Sequence, residues 1–225
     1  MARHLQNEFD LLRKAILSLC AYVEESLELA VEAIGRRDAS IAKRVIEMDS
    51  RIDSREVEIE EECLKVLALH QPVALDLRYI VAVLKINSDL ERIGDLAVNI
   101  AERAIGLSTQ APAETSFDFL QMAHKVQRMV HLSIDALVDM DTTRAHQVLE
   151  ADDEVDHIHR QMYQQIQSGI KANPARVDFY IQLLAVSRNL ERVGDHATNI
   201  AEDVIYLVAG DIVRHRKLPM NDTNK

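Results

Sequence analysis

Four short acidic motifs contain the residues of this chain that could do chemistry. Two of them lie in a phrase that occurs twice, LERIGDLAVNIAE at residues 90–102 and LERVGDHATNIAE at residues 190–202. The copies are offset by 100 residues and are identical at ten of thirteen positions. A helical core needs repeated apolar residues, but it does not need carboxylates repeated at fixed spacing. Function is therefore expected first at the repeated acids, which are Glu91, Asp95 and Glu102 in one copy and Glu191, Asp195 and Glu202 in the other.

A second repeated segment lies upstream of each phrase. Residues 45–53, VIEMDSRID, match residues 148–156, VLEADDEVD, at an offset of 103. The acids that this segment repeats are Asp49, Asp53, Asp152 and Asp156. A period of about 100 residues is far longer than that of a solenoid repeat, so it indicates duplication of a whole domain.

Helical spacing places the acids of each segment on one face. An α-helix turns by about 100° per residue, so positions i, i+4 and i+11 lie within about 40° of one another. Glu91, Asp95 and Glu102 have this spacing. If Pro72 marks the turn of a helical hairpin, Asp53 lies 19 residues before the turn and Glu91 lies 19 after it. Each half is therefore expected to bring four carboxylates to the same level along the axis of its helical hairpin.

Four neighbouring carboxylates repel one another. Like charges at i,i+4 destabilise a helix by a few tenths of a kcal/mol, and crowding raises carboxyl pKa values. A bound cation removes this conflict, and carboxylate oxygens suit Mg and Mn and also bind iron. We therefore expect one metal site per half, for Fe, Zn, Mn or Mg, with His159 as a weaker extra ligand. The expected ligands are Asp49, Asp53, Glu91 and Asp95 in the first half and Asp152, Asp156, Glu191 and Asp195 in the second.

The alternative interpretation of these acids is a solvated face without metal. In that case nearby arginines balance the negative charge, and the candidates are Arg51, Arg92 and Arg192. The sequence leaves both interpretations open.

Composition restricts the class of protein. The 225 residues are 48% apolar and include only six glycines and four prolines, which is typical of a helical protein. The two cysteines, Cys20 and Cys63, have no metal or disulfide spacing, so a reducing cytoplasm is expected. No apolar run approaches the roughly 18 residues of a membrane span, and no apolar signal core is visible. The net charge of −11 argues against nucleic-acid binding.

Apolar periodicity near 3.6 residues predicts helices throughout the chain. Gly35 is expected to end the first helix, and Asp38 is expected to cap the second. The predicted helices span residues 5–34, 39–69, 74–107, 116–139, 142–170 and 175–208.

The predicted fold is all-α, with two tandem antiparallel three-helix bundles that are related by internal duplication and contain six long helices. The expected divisions are a first bundle at 1–107, a linker at 108–115, a second bundle at 116–209 and a polar tail at 210–225.

The motifs DSRID, ERIGD, DEVDH and ERVGD on a duplicated three-helix bundle resemble the PhoU family of phosphate-uptake regulators, over essentially the whole chain. The resemblance implies a cytoplasmic negative regulator of phosphate uptake and of the phosphate-starvation response, usually a homodimer. It implies an adaptor that bridges the ATPase subunit of the phosphate ABC transporter to a sensor histidine kinase, with membrane association only through these partners. Some family members carry iron or zinc on the acidic motifs and others have been seen without metal. By resemblance, Glu102 and Glu202 are weaker ligands.

The sequence also bears on catalysis and on two other functions. No nucleophile–base pair or Gly-rich phosphate loop is present, so the chain is not expected to be an enzyme. A di-iron oxidase of the ferritin-like class would carry Glu-x-x-His on its helices. Here only Glu154 and His157 have that spacing near the acids, off the acidic face and without a second copy. A purely structural helical scaffold is the third possibility.

Overall fold

The computed structural model describes residues 2–110 and 119–213, and these residues are helical almost throughout. A 3-10 turn at Pro174–Arg176 precedes the last helix. The described residues contain no β-strand, so the predicted all-α class is confirmed. The six α-helices of this part of the chain are α1 Ala2–Arg36, α2 Ala39–His70, α3 Ala74–Ser108, α4 Phe119–Asp139, α5 Thr142–Ala172 and α6 Val177–Ala209.

The helices pack as two bundles. Helices α1, α2 and α3 contact one another, and so do α4, α5 and α6. The bundles meet mainly along α3 and α6, with a smaller contact between α1 and α4. The predicted pair of three-helix bundles is therefore confirmed. Among the helices described, none is both long enough and apolar enough to cross a membrane.

The predicted division into segments falls partly on residues that are not described. Most of the expected linker at 108–115 lies in the gap at 111–118, and most of the expected tail lies in 214–225. Helix α3 continues through Ser108, one residue into the expected linker. The proposed boundaries therefore remain predictions.

Capping side chains determine where the second helix of each bundle begins. Asp38 Oδ1 accepts hydrogen bonds from the backbone N–H groups of Ser40 and Ile41, at 2.7 and 3.4 Å. Asp141 caps α5 in the same way, with bonds of 2.8 and 3.3 Å to the next turn. Such caps contribute about 1 kcal/mol each. The expected role of Asp38 is confirmed.

The expected end of the first helix at Gly35 is wrong, because α1 continues to Arg36. Arg37 takes the left-handed conformation that terminates the helix, with φ of 53°. The N–H of Asp38 donates to the Ala33 carbonyl at 3.0 Å, which closes the last turn. These local hydrogen bonds and the Asp38 cap outweigh the preference for glycine at such a position.

Repeated apolar residues on α3 and α6 form the centre of each bundle. They alternate spacings of four and three residues, as expected for a left-handed bundle seam. All are fully buried, so each large member stabilises the fold by about 1.5–3 kcal/mol. The seam residues are Ile86, Leu90, Ile93, Ala97, Ile100 and Ala104 on α3 and Val186, Leu190, Val193, Ala197, Ile200 and Val204 on α6.

Polar contacts show that α3 and α6 run antiparallel. Lys85 near the start of α3 lies 3.0 Å from the Asp203 carboxylate near the end of α6. Arg103 near the end of α3 donates to Gln182 near the start of α6, at 3.4 Å. The turn of each hairpin therefore lies beside the last helical residues of the other bundle.

Candidate metal centres

The α2–α3 hairpin brings the predicted acids of the first bundle together. Gly94 allows this close packing, because a Cβ atom at that position would lie only 3.0 Å from Ile52 Cδ1 on α2. Burial is the main cause of a raised pKa at Asp49, and the charges of Asp53 and Asp95 raise it further. The Asp49 Oδ1 atom is buried and has no hydrogen-bond partner among the described residues. This oxygen is therefore an acceptor that a cation or a water molecule could satisfy.

Glu91 belongs to the same group. Burial raises the pKa of Glu91 above its ordinary value, and the charges of Asp95, Glu56 and Asp53 add to the effect. These charges act on Glu91 from both helices, so acids of α2 and α3 lie near one another. Glu56 is an addition to the four predicted acids.

The α5–α6 hairpin forms the matching group in the second bundle. The pKa of Asp152 is raised from 3.8 to about 6, mainly by burial and then by the charges of Asp156 and Asp195. Asp153 and Glu191 contribute smaller repulsions. Burial also raises the pKa of Asp195, with Asp156 as the largest charged contributor.

His159 joins the second group at its edge. Its Nδ1 atom lies 2.8 Å from Ser187 Oγ, which is fully buried. Burial and the charge of Asp195 raise the pKa of Glu191, whereas the charge of His159 lowers it. His159 is thus close to Glu191, but its ring nitrogen is hydrogen-bonded to the core serine Ser187. The two bundles differ here, because Glu56 occupies the corresponding position in the first bundle.

Cationic side chains offset part of the negative charge. Arg92 lowers the pKa of Glu91, and Arg192 together with His196 lowers that of Asp195. Arg160 lies 3.2 Å from the Asp156 carboxylate. The solvated-face interpretation is therefore partly supported, although the net effect on the pKa values of Asp49, Glu91 and Asp152 is still an increase.

The donors fit a hard or borderline cation, since carboxylate oxygens suit Mg and Mn and also hold Fe. In the side-chain positions of the described residues, however, no three His, Cys, Asp or Glu groups are close enough together to hold one ion. Binding would require the carboxylates to rotate towards a common centre. The eight-ligand assignment stays a prediction.

The weaker candidate ligands lie apart from these groups. Glu102 is exposed on α3, seven residues and about 10 Å along the helix from Asp95. Glu202 lies in a recess with Lys85, Asp203 and Tyr206 near the end of α6. The α-helical repeat places both on the expected face, but at a different height from the four-acid groups.

A polar cluster between the bundles centres on Asp89, which sequence reasoning missed, whereas Asn199 makes the interhelical hydrogen bond expected of it. Asp89 on α3 accepts a hydrogen bond from Asn199 Nδ2 at 3.1 Å and lies 2.8 Å from His196 Nδ1. All three are at least partly buried, and Asp89 is only 9% exposed. Asp89 gave only a weak signal in the sequence. It is an acid directly before the seam residue Leu90, and the second copy of the repeat has Asn189 at the matching position.

The raised pKa of Asp152 predicts a pH dependence of stability in metal-free protein. A carboxyl with a folded pKa above its unfolded value binds more protons when folded, so its contribution is fully present below about pH 4 and is lost as the pH rises through about 6. The free energy of unfolding should therefore fall between pH 4.5 and 7, by about 1 kcal/mol after allowance for solvent screening of a partly exposed group.

Urea unfolding of wild-type protein and of Asp152→Asn, across this pH range, measures the effect. Asp152→Asn should flatten the decline, whereas Glu25→Gln, which alters an exposed acid on α1, should leave it unchanged. Equal slopes in all three proteins would show that Asp152 is not the responsible group.

Comparison with known proteins supports a close family relation. A family model described as the PhoU domain matches the chain twice, at residues 16–104 and 119–204. A relative from Aquifex aeolicus is 37% identical over 214 residues, which cover 95% of this chain and 97% of the relative. A relative from Pseudomonas aeruginosa is 36% identical over 222 residues, with coverage of 96% and 91%. Both are named phosphate-specific transport system accessory protein PhoU homolog.

Solved structures give the same result. The crystal structure of PhoU from Pseudomonas aeruginosa superposes with a TM-score of 0.88 at 35% identity, covering 92% of this chain and 99% of that one. The phosphate transport system regulatory protein PhoU from Streptococcus pneumoniae gives a TM-score of 0.82 at 27% identity, with coverage of 93% and 99%. The similarity therefore extends over both bundles.

Proposed function

The chain belongs to the PhoU domain family, and from this membership we propose that it regulates phosphate transport as an accessory protein of the transport system. Specifically, it restrains phosphate uptake and the phosphate-starvation response when phosphate is plentiful. The observation that carries the proposal is the match of both halves to the family domain, together with 37% identity to an accessory protein over nearly its full length.

The regulator acts by binding and not by catalysis. Its relatives are named as accessory or regulatory proteins, which fits this assignment. We propose that it forms a homodimer in the cytoplasm and contacts two partners, the ATPase subunit of the phosphate ABC transporter and the sensor histidine kinase of the phosphate response. Long helical bundles offer broad, rigid faces for two such contacts.

Cations have a structural role in this proposal. Asp49, Asp53, Glu91 and Asp95 would hold one ion, and the four corresponding acids of α5 and α6 would hold another. The ion supplies positive charge that neutralises the repulsion between the two helices of a hairpin. The support for this role is the raised pKa of acids in both groups and the buried, unsatisfied Asp49 Oδ1. Each ion would fix the relative position of two helices that also form partner-facing surfaces.

The adaptor proposal is tested by gene deletion and by pull-down. Deletion should raise expression of a phosphate-starvation reporter in phosphate-rich medium, and restoring the gene should reverse this. The purified protein should retain the transporter ATPase and the kinase, with a difference between high and low phosphate. Unchanged reporter expression after deletion would favour the structural-scaffold alternative. Oxygen consumption by the ferrous protein would instead favour the oxidase.

A further inference from the structure

An open apolar groove lies at the end of the molecule where α1 and α3 begin and α6 ends. Its volume is about 420 Å³, which is within the range of about 300–1,000 Å³ for ligand pockets. Phe9 and Tyr79 form one wall, and Leu75, Met140 and Val208 lie around it. We call these residues, with their neighbours Asp10, Arg13 and Asp76, the end groove.

Internal contacts hold the end groove open in a defined shape. The rings of Phe9 and Tyr79 meet edge to face, with centroids 5.3 Å apart and an interplanar angle of 65°. Arg13 donates from its guanidinium to the Val138 carbonyl at 3.0 Å, which ties α1 to the end of α4. The groove is therefore built mainly by packed helices, and Met140 in the turn after α4 completes its lining.

The surface of the end groove is unusually apolar for a solvent-facing site. Leu75 is 62% exposed, Val208 is 43% exposed and Met140 is 38% exposed. Single exposed apolar residues are normal, but several around one concave site indicate an interaction surface. Because burying such side chains releases free energy, a partner that covers them gains affinity.

The internal duplication shows that the fold does not require this exposure. Met140 corresponds to Arg37, and both residues take the same left-handed turn conformation, with φ of 52° and 53°. Tyr79 corresponds to Phe179. At the opposite end of the molecule, the Arg37 guanidinium from the α1–α2 turn lies 5.4 Å from the Phe179 ring centre, and Phe179 is only 3% exposed. At one end of the molecule an arginine thus covers the aromatic ring of Phe179. At the other end an apolar methionine lies beside Tyr79 and an open groove.

Charge indicates the kind of partner. Among the described lining residues, Asp10 and Asp76 are the acids and Arg13 is the one cation, and Arg13 already donates to a backbone carbonyl. Asp76 also lies in the first turn of α3. A ligand with positive charge beside its apolar face complements this rim, and the net charge of −11 favours its approach.

We propose that the end groove binds an amphipathic helix of a partner protein, with aliphatic or aromatic anchors in the groove and lysine or arginine beside Asp10 and Asp76. Recognition of a helix in an apolar groove uses anchors spaced at i, i+3, i+4 and i+7. This inference deepens the adaptor function. It rests on that function only in assigning the partner to phosphate transport or sensing. The preference of the groove for an apolar, positively charged ligand is supported by its lining residues and does not depend on the adaptor function.

The test uses two synthetic 16-residue helical peptides with the same leucine face, one flanked by lysines and the other by glutamates. Fluorescence anisotropy measures affinity, and the methyl NMR signal of Met140, assigned with Met140→Leu, reports occupation of the groove. The lysine peptide should bind and shift this signal, whereas the glutamate peptide should bind at least tenfold more weakly. Leu75→Glu should weaken binding of the lysine peptide by tenfold or more.

An exposed apolar residue outside the end groove provides a matched control for Leu75→Glu. Ile181 is an apolar residue of α6 that is 51% exposed at the opposite end of the molecule, so Ile181→Glu should change affinity by less than twofold. The double change Asp10→Asn with Asp76→Asn should reduce both the affinity and its salt dependence for the lysine peptide.

Several results would overturn the proposal. These are equal binding of the two peptides, equal effects of Leu75→Glu and Ile181→Glu, or no saturable binding of the lysine peptide. Dissociation of a homodimer by Leu75→Glu, measured by sedimentation without peptide, would assign the groove to a second copy of this chain and also contradict it. Unchanged reporter expression after gene deletion would count against the adaptor function alone, so the two failures are distinguishable.

Discussion

Replacing Asp49, Asp53, Asp152 and Asp156 together with Asn is expected to abolish cation binding while it stabilises the metal-free protein. The two effects have one cause, since the carboxylates that would bind an ion also repel one another in its absence. In wild-type protein, a cation at 100 times its dissociation constant should raise the free energy of unfolding by about 2.7 kcal/mol per site. The variant should show no such increase.

Calorimetric titration with Mn, Fe, Zn or Mg, combined with urea unfolding, measures both effects. A control with Glu25, Glu28, Glu47 and Glu61 changed to Gln removes the same charge from exposed positions. This control should bind cations like the wild type. If the Asp-to-Asn variant and the control bind cations equally, the acids of the two hairpins are not ligands.

Replacing Glu91 and Asp95 with Ala is expected to derepress the phosphate-starvation response to within about twofold of gene deletion. Helix content should stay unchanged, because both residues are on the hairpin surface and alanine is a strong helix former. The physical reason is loss of the ion that fixes α2 against α3, and not loss of folding. Reporter expression in phosphate-rich medium and circular dichroism of the purified variant measure the two properties separately.

A matched variant keeps this experiment specific. Glu58→Ala with Glu61→Ala removes two exposed acids from the same hairpin, outside the four-acid group, and should retain repression. Full repression by the Glu91/Asp95 variant would contradict the role of cation-fixed geometry. Derepression with lost helicity would instead assign these acids to stability.

The regular features of the fold were predictable from the sequence. The apolar seam from Ile86 to Ala104 follows helical periodicity, and its copy on α6 predicts a second bundle without further information. Asp38 was predictable as a cap because capping depends on residues one turn apart. The electrostatic influence of Asp53 on Glu91 agrees with their equal distances from Pro72, since antiparallel helices have the same rise per residue.

Features that depend on contacts between distant segments were not predictable. Arg37 ends α1 in place of Gly35 because of backbone bonds formed in the folded turn. The pairing of Asp89 with His196 depends on how two bundles meet, which no repeat within either bundle encodes. The end groove uses residues from α1, α3, α6 and the turn between α4 and α5, and the directions of carboxylate side chains depend on their final surroundings.

Anomalous diffraction from crystals grown with Mn²⁺ tests the proposal of two cation sites most directly. Two anomalous peaks are expected, one between α2 and α3 and one between α5 and α6. Each should lie within about 2.5 Å of oxygen atoms from at least two of the predicted acids of its hairpin. Fully ordered acids without an anomalous peak in either hairpin, in crystals saturated with Mn²⁺, would contradict the account.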